Sequence, residues 1–128
     1  MRRLFIFAAA LVAALGLFAV SDPAPAEHEV FTFRVRSVDK YIVDIRFYSQ
    51  NRRWAWPSFD QVYRMDDYRE HDFAINCREG ERVCYGAWER GNPRTYWGRG
   101  PNGTASCSDC CYVCQPSNSQ LITLRGFR

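Results

Sequence analysis

Six cysteines cluster in the second half of the chain, and this clustering constrains the fold more than any other feature. Four of them form the segment Cys107-Ser-Asp-Cys110-Cys111-Tyr-Val-Cys114. An even number of cysteines in a small exported domain is typical of a disulfide framework. A crosslink that closes a loop of about 15 residues stabilises a fold by about 3 kcal/mol in the chain-entropy model. We therefore predict disulfide bonds at all six positions: Cys77, Cys84, Cys107, Cys110, Cys111 and Cys114.

The sequence leaves the pairing of these cysteines open. A bond between the neighbours Cys110 and Cys111 would strain the peptide that joins them, so each is expected to pair elsewhere. Two other interpretations stay open. Four thiolates at this spacing can complete a tetrahedral zinc site, although an oxidising compartment favours disulfides. A C-x-x-C pair can also perform thiol–disulfide exchange, but that motif usually opens a helix after a strand, and the sequence shows no such pattern.

The amino terminus predicts export. Residues 1–3 are Met-Arg-Arg, residues 4–20 are apolar and residues 24–26 are Ala-Pro-Ala, which together have the organisation of a signal peptide. Cleavage after residue 26 would leave residues 27–128 as one domain in the periplasm or outside the cell. The apolar run is shorter than the about 20 residues that span a bilayer. Membrane contact is therefore expected only through this peptide before cleavage, with an uncleaved anchor as the alternative.

Charge and length exclude several classes of protein. The full chain has a formal net charge of +3, and loss of Arg2, Arg3 and Asp22 with the signal peptide lowers it to +2. Such a near balance argues against a nucleic-acid binder, whose domains usually carry a strong basic excess. About 100 mature residues suffice for one modest core. A multidomain enzyme is therefore excluded.

Hydrophobic residues recur with a period of two, which predicts strands rather than helices. The pattern is clearest in three sets: Phe31, Phe33 and Val35; Tyr41, Val43, Ile45 and Phe47; Phe73, Ile75 and Cys77. Shorter strands are expected over residues 61–65, 82–88, 96–98 and 121–124, with a long surface connection over 48–60 and a turn at 101–104. We predict a mainly β fold, a small antiparallel β-sandwich or barrel-like domain stapled by disulfides.

Two hairpins are predicted from the turn residues. Residues 37–40 have the right length to join the first two strands directly. If residues 80–81 form a two-residue loop with Gly80 in its first position, Cys77 faces Cys84 across the second hairpin. Opposite residues in such a pair lie about 5.5 Å apart, so a bond between these two cysteines is geometrically admissible.

Two segments combine tryptophan or tyrosine rings with arginine, at residues 52–57 and 94–99. Flat rings beside guanidinium groups suit stacking on sugars, on aromatic ligands or on a protein partner. The alternative is that these large side chains only cover the ends of a small core. We predict the following binding residues: Arg53, Trp54, Trp56, Tyr96, Trp97 and Arg99.

The remaining polar residues predict no catalytic, metal or cofactor site. The sequence has no G-x-S-x-G motif, and an enzyme would need a cleft in which His71 or a pair of carboxylates meets a nucleophile. Glu79 and Glu81 flank a turn glycine and are expected on solvated loops, like the acidic residues at 66–72. We predict a binding or structural module with an unidentified envelope or extracellular ligand. The alternative is a thiol–disulfide or zinc module that uses residues 107–114.

Several motifs together resemble small exported, cysteine-rich bacterial proteins of uncharacterised function. They are Phe47-Tyr48-Ser49-Gln50, Trp56-Pro57, Cys77-Arg-Glu-Gly-Glu-Arg-Val-Cys84, Tyr96-Trp97-Gly98 and the C-x-x-C-C-x-x-C segment. The resemblance covers most of residues 27–128. It implies export and a cysteine-rich fold, and it assigns no activity to particular residues.

Overall fold

The computed structural model describes Gly16 and residues 28–126, which form ten strands and no helix. The predicted signal peptide lies outside the described residues except for Gly16. The strands are β1 (His28–Ser37), β2 (Val43–Ser49), β3 (Ala55–Trp56), β4 (Tyr63–Met65), β5 (Glu70–Arg78), β6 (Arg82–Glu89), β7 (Asn92–Gly98), β8 (Cys111–Val113), β9 (Ser117–Asn118) and β10 (Ile122–Leu124). The predicted strands are present, and the low helix content is confirmed.

The strands form two sheets. In sheet 1, β1 pairs antiparallel with β5 on one edge and parallel with β9 and β10 on the other. In sheet 2, β2 and β6 form the central pair, β3 and β4 lie along the free edge of β2, and β7 and β8 lie along the free edge of β6. All pairs in sheet 2 are antiparallel. The mainly β fold is confirmed, and its two sheets remain separate layers in the described part of the chain.

The alternating side chains of both sheets meet in one core between the layers. Phe33 of β1 and Phe47 of β2 are fully buried, and their ring centroids lie 4.5 Å apart across the two sheets. Complete burial of an aromatic or branched aliphatic side chain stabilises a fold by about 1.5–3 kcal/mol. The other buried core residues include Phe31, Val35, Val43, Ile45, Ile75, Val83, Ala87 and Leu124. The period-two pattern therefore identified the inward-facing residues.

The predicted hairpin between the first two strands is wrong. β1 and β2 lie in different sheets, so residues 38–42 cross from one layer to the other. Val38 N–H donates to the Leu124 carbonyl at 2.9 Å, which keeps the end of β1 bound to β10. Asp39 Oδ2 then accepts the Tyr41 N–H at 3.2 Å as the chain turns. Each strand has one buried face in either arrangement, so the alternation does not distinguish a hairpin from a crossing between layers.

The predicted hairpin that places Cys77 opposite Cys84 is also wrong. β5 pairs with β1, and β6 pairs with β2, so these two strands also belong to different sheets. The turn is present, but Glu81 N–H donates to the Arg78 carbonyl, which puts Gly80 (φ +77°) third in the turn. Glycine is favoured there in a type II turn, rather than in the first loop position of a type II′ hairpin.

A loop formed by residues 99–110, the cover loop, packs on the outer face of sheet 2. Tyr48 points outward from β2, and its hydroxyl donates to the Pro101 carbonyl at 2.9 Å. Burial raises the pKa of Tyr48 above its usual value. The predicted turn at 101–104 is present in this loop. The expected surface connection over residues 48–60 is partly wrong, because it contains β3, whose Ala55 and Trp56 are buried.

Gly86 gives a direct test of the cover loop. A methyl group at this position would overlap the Gly100 carbonyl oxygen and would lie 2.9 Å from Tyr48 Cε2. We expect Gly86→Ala to lower the free energy of unfolding by about 1–3 kcal/mol, as overpacking typically does. Urea denaturation measures this loss.

Gly91→Ala is the matched control, because Gly91 has φ +82° and nothing lies within 4 Å of an added methyl group. It should show only the cost of backbone strain, about 1–2 kcal/mol. A Gly86→Ala variant as stable as the wild type would contradict the close packing of the cover loop on β6.

Candidate functional site

The structure separates the six predicted binding residues into buried and exposed groups. Trp56 is only 9% exposed, and its Nε1 donates to the Asn76 carbonyl at 3.1 Å. Trp97 packs against the core, and its Nε1 donates to the Arg125 carbonyl at 2.8 Å. Both indole rings are therefore engaged in packing, Trp56 in the core and Trp97 against its edge.

Trp54 is different, because its side chain is 51% exposed while its backbone is fixed. Its N–H donates to the Arg52 carbonyl at 2.9 Å, and its carbonyl accepts the Ser49 N–H at 3.0 Å. The guanidinium carbon of Arg52 lies 5.2 Å from the centroid of the Trp54 ring and 5.7 Å from that of Trp56. Cation–π attraction of this kind is worth about 0.5–1 kcal/mol at exposed sites. Arg52 thus links an exposed ring to a buried one.

A buried carboxylate holds Arg52 in place. Glu81 is 4% exposed and lies at the start of β6. Its Oε2 accepts Arg52 Nε at 2.6 Å and the Ser49 hydroxyl at 2.6 Å. Its Oε1 accepts Arg52 Nη2 at 3.2 Å and the Arg78 N–H at 3.0 Å. Burial alone would raise the pKa of Glu81, but the hydrogen bonds from Arg52, Arg78 and Ser49 outweigh it and the pKa lies below its usual value.

The surface around this cluster is basic. We call residues 51–54 and 78–82 the Trp54 surface. Arg53, Arg78 and Arg82 are exposed on it, whereas its only exposed acidic residue is Glu79. Asn51 Oδ1 accepts the Arg82 N–H at 2.7 Å, so the two segments are joined directly. A groove of about 210 Å³ runs between them, lined by residues 51–52 and 78–81.

Arg99 connects this surface with the second predicted segment. Its Nη2 donates to Gln50 Oε1 at 2.7 Å, and its Nη1 donates to the Ala105 carbonyl at 3.2 Å. Among the described side chains that are not exposed, Arg99 Nε is the one buried polar atom without a hydrogen-bond partner. Tyr96 is 40% exposed on the outer face of sheet 2, opposite Trp88. The structure thus places Arg53 and Trp54 on one surface and Arg99 beside it, whereas Tyr96 packs against Gly100 of the cover loop.

A second polar groove lies at the loop that joins β1 to β2. It has a volume of about 780 Å³, and its lining includes the buried carboxylates Asp39 and Glu89 together with Asn92 and Thr95. Burial raises the pKa of Glu89 above its usual value, and the adjacent Asp39 raises it further. Burial and the like charge of Asp39 therefore favour the protonated form of Glu89. The two carboxylates are far apart in the chain, so no local sequence pattern indicates that they meet.

The acidic residues expected on solvated loops mostly pair with basic side chains at the surface. Arg34 forms ion pairs with Glu70 and Asp72. His71 Nε2 lies 2.7 Å from Asp67 Oδ1, and the hydrogen bond from His71 holds the pKa of Asp67 below its usual value. Glu79 is exposed as expected. The loop expectation is wrong for Glu70 and Asp72, which lie in β5, and for Glu81, which is buried and organises the Trp54 surface.

All six cysteines form disulfides, as predicted. Cys77–Cys114 joins β5 of sheet 1 to the end of β8 in sheet 2, and Cys84–Cys111 joins β6 to β8. Cys107–Cys110 closes a short ring inside the cover loop. As expected, Cys110 and Cys111 are not bonded to each other. The sulfur atoms of Cys84, Cys110 and Cys111 lie within 4.8 Å of one another, but zinc binding there would first require reduction of two disulfides, because zinc binds thiolates.

The disulfides indicate a non-reducing compartment, since cytosolic thiols are kept reduced. In the described residues no helix is long and apolar enough to cross a membrane. Comparisons with protein-family models, with curated proteins and with solved structures found no match. The resemblance to exported bacterial proteins therefore stays a prediction, and the function has to be argued from the geometry of the sites.

Proposed function

We propose that the protein is a binding module of the periplasm or extracellular space that recognises an anionic carbohydrate polymer at the Trp54 surface. One observation carries the proposal: the exposed Trp54 ring rests on Arg52, whose guanidinium group is anchored by the buried Glu81. The predicted signal peptide and the disulfide framework support the location. Contact with the membrane would occur only through the signal peptide before cleavage.

The fixed ring suits a ligand that stacks. Ordering a flexible side chain on binding costs about 0.5–1.5 kcal/mol, and the backbone hydrogen bonds of Trp54 and its contact with Arg52 provide that order in advance. Aromatic rings present a flat apolar face that suits sugar rings. A preorganised tryptophan at the surface therefore favours carbohydrate recognition over a purely structural role.

The charges beside the ring favour an acidic ligand. Arg53, Arg78 and Arg82 are exposed in the two segments of the Trp54 surface, and arginine forms paired hydrogen bonds with carboxylate groups. An acidic polysaccharide combines both features that the surface selects, a stackable ring and negative charge.

Heparin serves as a polyanionic carbohydrate probe of this surface. We expect the disulfide-bonded protein to be retained on immobilised heparin. Trp54→Ala should raise the dissociation constant for heparin about tenfold, or about 1.4 kcal/mol. Fluorescence titration with soluble heparin measures that constant, because a ligand on the ring changes tryptophan emission. Arg53→Ser should lower the salt concentration needed for elution, since it removes one exposed cation.

Tyr68→Ala is the matched control, because Tyr68 is 53% exposed and lies outside the Trp54 surface. Its affinity for heparin should equal that of the wild type. The proposal fails if Trp54→Ala binds heparin as tightly as Tyr68→Ala, or if the wild type is not retained. Either result would favour the structural module over the binding module.

A further inference from the structure

Two disulfides meet at the outer face of sheet 2. Cys110 Sγ of the Cys107–Cys110 bond lies 3.6 Å from Cys111 Sγ of the Cys84–Cys111 bond, and Cys84 Sγ is within 4.8 Å of both Cys110 and Cys111. The Tyr85 N–H donates to the Cys110 carbonyl at 3.0 Å, so the backbone of Cys110 is fixed beside β6 next to Cys84. Three of the four sulfur atoms in these two bonds are thus held within 4.8 Å of one another, and the fourth, Cys107 Sγ, is bonded to Cys110.

The four sulfurs differ in their access to solvent. Cys107 is partly exposed between the exposed Ser106 and Ser108, whereas Cys110 is 2% exposed and Cys84 is fully buried. Cys111 is also partly exposed. Because thiol–disulfide exchange requires access to the attacked sulfur, we expect a thiolate from solvent to attack at Cys107, whose two chain neighbours are exposed, rather than at Cys111, which follows the buried Cys110.

We propose that residues 107–111 form a thiol–disulfide exchange site for a low-molecular-weight thiol, in which opening of the Cys107–Cys110 bond is passed to the Cys84–Cys111 bond. In the first step the external thiolate attacks Cys107 Sγ. A mixed disulfide forms between that thiol and Cys107, the Cys107–Cys110 bond breaks, and its electron pair leaves on Cys110 as a thiolate. A small thiol fits better than a cysteine of a folded partner, since Cys107 is only partly exposed.

In the second step the Cys110 thiolate attacks Cys84 Sγ. A Cys84–Cys110 bond forms, the Cys84–Cys111 bond breaks, and the electron pair leaves on Cys111, which takes a proton from water. Attack on Cys111 instead would create a strained bond between neighbouring residues and would expel a thiolate at the fully buried Cys84. Charge at Cys110 is disfavoured by its burial. The exchange therefore moves the negative charge to the more exposed Cys111.

The variant Cys107→Ser tests the second step by leaving Cys110 permanently without its partner. After acid quenching and alkylation in denaturant, we expect label at both Cys110 and Cys111, in amounts within about tenfold of each other. Peptide mapping should also find a Cys84–Cys110 disulfide. Label confined to Cys110, with Cys84–Cys111 intact, would overturn the proposal. Cys110→Ser is the matched control, since it frees Cys107, which is outside the 4.8 Å sulfur group, and should be labelled there alone.

The wild-type chain gives a second test that does not depend on the folding of a variant. We expect treatment with glutathione to place the mixed disulfide on Cys107. Limiting phosphine, which opens one disulfide without forming a mixed one, should leave free thiols at Cys107 and Cys111 after exchange. Free thiols at Cys107 and Cys110 alone, or at Cys77 and Cys114, would contradict the proposed transfer.

Discussion

Replacing Cys77 and Cys114 together by alanine is expected to lower the free energy of unfolding by about 4 kcal/mol, more than removal of either other disulfide. The bond joins the two sheets across a sequence separation of 37 residues, and a crosslink that closes a longer loop restricts the unfolded chain more strongly. Both side chains are at most 1% exposed, so alanine also leaves space in the core. Thermal unfolding should occur about 15–30 °C lower, given the usual scaling for a domain of this size.

The other two disulfides provide the controls for this ranking. Cys84–Cys111 spans 27 residues and should contribute about 3.5 kcal/mol. Cys107–Cys110 spans only 3 residues and should contribute about 2 kcal/mol. Urea denaturation of the three double variants measures the order. If the Cys107/Cys110 double variant loses as much stability as the Cys77/Cys114 variant, the bond between the sheets does not make the expected larger contribution to the free energy of unfolding.

The strands were predictable from the sequence, whereas their partners were not. The alternation of Phe31, Phe33 and Val35 reports which side chains are buried, and the structure buries all of them. It does not report whether the next strand lies beside β1 or opposite it. The same limit applies to the cysteines. Their number indicated disulfides, but the Cys77–Cys114 pairing depends on β5 and β6 lying in different sheets.

In the candidate site, too, some features were predictable from the sequence and others were not. Trp54 was predicted as a binding residue because tryptophan and arginine are neighbours in the sequence. Trp56 has nearly the same local sequence but lies inward, since it occupies β3 and pairs with Phe47. Glu81 was expected on a solvated loop like Glu79. Its burial depends on Arg52 from a distant segment, and no local pattern reports such a contact.

Removal of the Glu81 carboxylate is the second change with a large expected effect. We expect Glu81→Gln to lower the free energy of unfolding by about 2–4 kcal/mol, because Arg52 loses its charged partner inside the structure. The loss should be smaller than the about 3–5 kcal/mol typical of a fully buried pair, since the Arg52 side chain is 22% exposed. Glu79→Gln changes an exposed neighbour and should stay within about 0.5 kcal/mol of the wild type. Equal urea midpoints for the two variants would contradict the role of Glu81.

The same variant should also change how stability depends on pH. The pKa of Glu81 is lower in the folded state than in the unfolded chain, so its contribution is complete above the unfolded value of about 4.3 and is lost as the pH falls through the folded value. The difference in unfolding free energy between the wild type and Glu81→Gln should therefore be largest above about pH 5 and shrink toward pH 3. Denaturation at a series of pH values measures it. A difference that stays constant with pH would show that the loss comes from altered packing, not from the charge that holds Arg52 beneath Trp54.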